Sequence, residues 1–187
     1  MKNTIRVAIA AAIAAIGVTT ISVPAFTQDK MPFGDKKDVN FAEELWTVMK
    51  KAKMVGPDRI NSKAFEGNEP HGAIQQVLSM SLKMRGRTGR AIVKMNHMGG
   101  EGVKVEDIYA SPDKYLAAYT VMFKREKGYD AENQDWFWAK YDTKGNLDVM
   151  MPGGPKMAGR IAKGMPEGCI ACHAGAGGAD LEVLTPN

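Results

Sequence analysis

The chain is poor in the residues that most often mark chemistry. Of 187 residues, only two are cysteine and three are histidine. So few cysteines exclude a disulfide-stapled scaffold, which needs several pairs. The histidines stand far apart, at His71, His97 and His173, so no zinc-ligand spacing surrounds the cysteines. Charge of one sign is also lacking. The formal charge is +4, and removing Lys2 and Arg6, which lie in the leader-like segment described next, leaves 23 basic against 21 acidic residues. That balance excludes an electrostatic case for nucleic acid or an anionic membrane surface. Past the N-terminus, no stretch is apolar enough to span a bilayer.

The first 25 residues have the layout of a secretory signal. Lys2 and Arg6 supply positive charge, residues 7–18 are apolar and alanine-rich, and Val23-Pro24-Ala25 offers the small residues of a cleavage site. Thr19, Thr20 and Ser22 break the apolar run short of the ~20 residues that a membrane anchor requires. The expectation is export to the periplasm, cleavage after Ala25, and no membrane span in the mature chain.

The two cysteines stand in Cys169-Ile170-Ala171-Cys172-His173. A thioredoxin-like redox pair would open a helix after a strand, whereas this motif lies among Gly164, Gly168, Gly175, Gly177 and Gly178. A zinc site would lack a fourth ligand nearby. Covalent haem attachment accounts for all three residues at once. Two thiols on one helical turn add to the two vinyl groups, and the adjacent histidine becomes the axial ligand of the iron. Cys169, Cys172 and His173 therefore read as the site of one haem c.

The rest of the chain divides into a loose polar arm over 26–39 and a single domain over 40–187. Phe41, Leu45, Val48, Met49 and Ala52 recur at helical spacing, with Asn40 as cap and Gly56-Pro57 as stop. Strands are expected over 73–82, 90–96, 116–125 and 135–142, the last dense in aromatics although these make up only 7% of the chain. Residues 147–151 read as its hairpin partner and 156–163 as a short helix. The fold class that follows is α+β, a mainly antiparallel sheet with a long N-terminal helix and short helices around a C-terminal haem c site. A four-helix bundle is excluded by Ala91-Ile92-Val93 and Trp136-Phe137-Trp138, which make poor helix.

Several of these segments resemble one family. Pro70-His71-Gly72, Ala91-Ile92-Val93-Lys94, the run 124–129, the strand from Asp135 to Asp142 and the terminal haem motif are similar to the cytochrome P-460 family. The resemblance spans residues 41–183. It implies a mainly antiparallel β fold, a homodimer and a five-coordinate haem. One branch cross-links a lysine to the haem rim and oxidises hydroxylamine, passing electrons to a soluble redox partner. The cytochrome c-prime-beta branch lacks the cross-link and binds nitric oxide or carbon monoxide in an apolar pocket. Lys94 matches the cross-linking lysine. Thr120 falls where the catalytic members carry a distal carboxylate, and a hydroxyl is a poor base near neutral pH. The two residues point in opposite directions. Elsewhere, His97 is a candidate distal base or sixth ligand, His71 reads as a turn residue, and Trp136 and Trp138 read as core or dimer packing. The 13 methionines read as adaptable packing around a flat cofactor.

Overall fold

The computed structural model describes residues 31–68, 70–100 and 102–184. The leader-like segment and its cleavage site lie outside them. Helix α1 runs Lys36–Lys51 and packs on an antiparallel sheet. The helix starts earlier than its apolar spacing suggests, because Asp35 rather than Asn40 caps it. The Asp35 carboxylate accepts the Asp38 N–H at 2.8 Å, which satisfies a donor that the first turn leaves free. Phe33 is buried and bridges to Gly159, so the described part of the 26–39 segment is packed rather than loose. At the other end the helix stops before Gly56, where Lys53 turns left-handed at φ 55°.

Six strands form one sheet in sequence order: β1 Ala64–Glu66, β2 Ile74–Met84, β3 Arg87–His97, β4 Leu116–Lys124, β5 Trp136–Tyr141 and β6 Ala158–Gly159. All neighbours are antiparallel. The mixed α+β class is as expected. Arg85 and Gly86, both at positive φ, make the two-residue turn between β2 and β3, the geometry that matches strand twist. A short helix α2, Val105–Ala110, covers β1 through Ile108.

Two expected elements are corrected. Residues 147–151 form no regular strand; they meet β5 through the isolated bridge of Leu147 to Tyr141, the Asp148 N–H donating to the Lys140 carbonyl at 2.9 Å and the Lys140–Asp148 ion pair, and Val149 bridges to Lys156. Residues 156–163 are not helical. They hold the edge strand β6 and then turns, and Gly159 sits at φ 113° with Asp38 against the space a Cβ would need. The positive φ suits a glycine strand end and not a helix.

The sheet is covered on both faces, which is why β3 is buried without alternation from Ala91 to His97. One face packs Ala91, Val93, Tyr119, Val121, Phe123 and Phe137 against Phe41, Leu45 and Met49 of α1. The opposite face carries Ile92, Met122, Trp136 and Trp138, and the C-terminal segment closes over it through Ile161 and Ile170. That segment ends in α3, Cys169–Gly175, which holds the Cys-x-x-Cys-His motif.

Candidate functional site

Strand register assembles one wall of the site. Lys94 pairs with Thr120, and Thr120 with Lys140, so these three form a row across β3, β4 and β5. Ile92, Met122 and Trp138 form the next row on the same face. Opposite stands α3. Gly168 caps it at φ 118°, and a Cβ there would run into Ala162, so glycine is what lets the helix start against the preceding turn. One turn of α3 then presents Cys169, Cys172 and His173 to the sheet. Between helix and sheet lies a mainly apolar cavity of ≈ 280 Å³, lined by both cysteines, His173, Lys94, Thr120 and His71 among others.

Within it, hydrogen bonds orient the imidazoles. His173 Nδ1 lies 2.7 Å from the carbonyl oxygen of Leu181. A carbonyl only accepts, so Nδ1 carries the proton and Nε2 keeps its lone pair, as a metal-binding histidine requires. Burial lowers the His173 pKa, with the Leu181 bond opposing and the Lys94 charge adding to it, which favours the neutral ring. His71 Nδ1 lies 3.2 Å from Thr120 Oγ1, which also accepts from the Asn96 side-chain amide at 3.4 Å. Burial, aided by the charges of Lys94, His173 and Lys140, lowers His71 to about 4. Lys94 is 6% exposed, and burial lowers its pKa too. A larger neutral fraction makes its amine a better nucleophile.

Both cysteines are free thiols, and burial raises Cys169 to about 11. Cys169 does not read as an activated redox thiolate. Trp138 stacks edge-on to His173, ring centres 4.8 Å apart, and its buried Nε1–H has no protein acceptor. Among the described residues no group of three or more His, Cys, Asp or Glu could hold a bare metal ion. The arrangement instead suits a metal that brings its own equatorial ligands. Two thiols for covalent attachment, one imidazole with a free Nε2, a mainly apolar cavity and an unmatched indole N–H together fit a haem c.

The motif residues, Lys94 and Thr120 thus meet in one cavity, although they come from distant parts of the chain. His97 does not join them. It is fully buried away from the cavity, with Nε2 3.0 Å from Gln76 Oε1, which removes it as distal base or sixth ligand. Parity explains this, since 97 shares the α1-facing side of β3 with 93 and 95, whereas 94 faces the cavity. Three lining residues were not anticipated there: His71, Trp138 and Lys140. The last two share the strand parity of Thr120 once register is known. Nothing in the Pro70-His71-Gly72 turn indicated that its histidine faces the motif. Trp136 is core, its indole N–H donating to the Asp180 carbonyl at 2.7 Å. Met122, Met150 and Met157 line the cavity. No family model, curated protein or solved structure matches this chain.

Proposed function

We propose that the chain is an exported, periplasmic mono-haem c-type cytochrome of the cytochrome P-460 kind, acting on small nitrogen species. The supporting observation is that Cys169, Cys172, His173 and Lys94 line one apolar cavity, the histidine with Nδ1 tied to a carbonyl and Nε2 free. Cys169 and Cys172 would hold the macrocycle as thioethers, each S–H adding across one vinyl group. His173 would ligate the iron through Nε2. When bound, the haem supplies a redox-active iron that takes up hydroxylamine and passes its electrons to a soluble acceptor. Lys94 is buried beside that position with a depressed pKa. A bond from its amine to a meso carbon would release two protons and two electrons to an oxidant of the peroxide class. The homodimer that the family resemblance implies is part of the proposal.

One observation favours the c-prime-beta reading, capture of nitric oxide or carbon monoxide or simple electron transfer. Among the described residues that line the cavity, none is a carboxylate. Breaking N–H bonds needs a proton acceptor, and Thr120 and a neutral His71 are weak ones.

Intact mass and the spectrum of the reduced protein test both readings. A covalent haem with the red-shifted band for which the family is named, lost in Lys94→Ala together with hydroxylamine turnover, supports the enzyme. An ordinary haem c spectrum, unchanged in Lys94→Ala and without turnover, supports the gas-binding or electron-transfer protein. A mass showing no haem overturns the proposal.

A further inference from the structure

His71 and His173 face each other across the cavity, ring centres 6.1 Å apart and planes at 86°. Metal–imidazole bonds run about 2.0–2.1 Å, so two imidazoles on opposite sides of one metal have centres roughly 6–6.5 Å apart. The observed spacing falls in that range. It is too wide for stacking and too narrow to seat a further ligand between the rings and an iron. The bonding of the two rings matches as well. Each has Nδ1 on a protein oxygen, Leu181 O for His173 and Thr120 Oγ1 for His71, and neither Nε2 has a protein partner among the described residues.

We propose, resting on the haem c reading above and departing from the five-coordinate haem that the family resemblance implies, that His71 is the second axial ligand, giving a six-coordinate bis-histidine iron. In that state His71 Nδ1–H donates to Thr120 Oγ1, and Nε2 binds the metal. Thr120 thereby becomes a positioning residue for His71 rather than a failed base. Lys94, Met122, Met150 and Met157 also line the cavity, and what singles out His71 is its ring, 6.1 Å from that of His173. External ligands then bind only in the fraction of molecules where His71 has let go, which lowers their apparent affinity by that fraction.

The test is electron paramagnetic resonance and absorption spectroscopy of the matured full-length protein. The ferric wild type is expected to be low-spin, with the strongly anisotropic signal of near-perpendicular imidazole planes. His71→Ala is expected to become high-spin and to gain carbon monoxide affinity by roughly tenfold or more. Added imidazole should restore the low-spin state in His71→Gly, and His97→Ala should match wild type. A haem-loaded wild type that is high-spin overturns the ligand assignment while leaving the haem reading intact. So does low-spin iron that survives His71→Ala or is lost only on replacing Lys94 or a lining methionine. The wild-type spectrum decides even where a variant fails to fold. A protein without covalent haem overturns both.

Discussion

At the scale of single residues, burial controls protonation on both sides of the sheet. In the cavity it keeps His71, His173 and Lys94 biased toward their neutral forms, the forms that ligate metals or attack carbon. On the α1 side it acts on Asp38. Burial first, then repulsion from Asp35, raises this half-buried carboxyl to about 6, against the attraction of Arg160 and Arg125. A raised folded pKa means the native state holds its proton more tightly than the unfolded chain. The resulting stability is full below the ordinary aspartate value of 3.8 and is lost as pH rises through about 6. Asp38→Asn removes the loss. After discounting for partial exposure, the variant should gain about 1 kcal/mol at pH 7 and nothing near pH 4. Urea melts at the two pH values measure this, and an equal gain at both would contradict the account.

At the scale of elements, α3 depends on how it starts. Gly168 takes φ 118° and lies where a Cβ would strike Ala162, so its replacement strains the backbone and displaces the helix. Gly168→Ala should lower the fraction of chains carrying covalent haem, read by intact mass, because both thiols move relative to the sheet. Gly175, also in α3, has open space around it, and Gly175→Ala should attach haem as wild type does. The strands show what local patterning conveys. β4 was readable because Tyr119, Val121 and Phe123 alternate with Thr120 and Met122. β5 was readable from aromatic density. The helix start is hidden from the apolar spacing because Phe41 opens the apolar stripe while the Asp35 cap precedes it by more than a turn. The segment 156–163 is not the expected helix because pairing with β5 decides its state.

For the whole molecule, the sheet is a wall between two different interiors. One is the packed apolar core under α1. The other holds the cavity and is closed by the C-terminal segment together with Pro70, His71 and Met150. Filling that cavity with an apolar macrocycle stabilises the native state by mass action and packing. The double variant Cys169→Ala/Cys172→Ala, which lacks the covalent tie, should melt below wild type by roughly 2–4 °C for each kcal/mol lost. Equal melting temperatures would show that the cavity is not where the attached group sits.

The sequence by itself determined the Cys-x-x-Cys-His motif, the strand-rich class and which residues of a strand share a face. These are properties of adjacent or alternating residues, fixed by covalent spacing and the pleat. Only the tertiary structure decided which histidine meets the motif. His71 and His97 are each a single imidazole in a polar stretch, indistinguishable by local pattern. Register and the closing of α3 over the sheet place His71 opposite His173 and bury His97 against Gln76 on the other side. Long-range pairing carries that information, because a shift of one residue in register would exchange the two faces of β3.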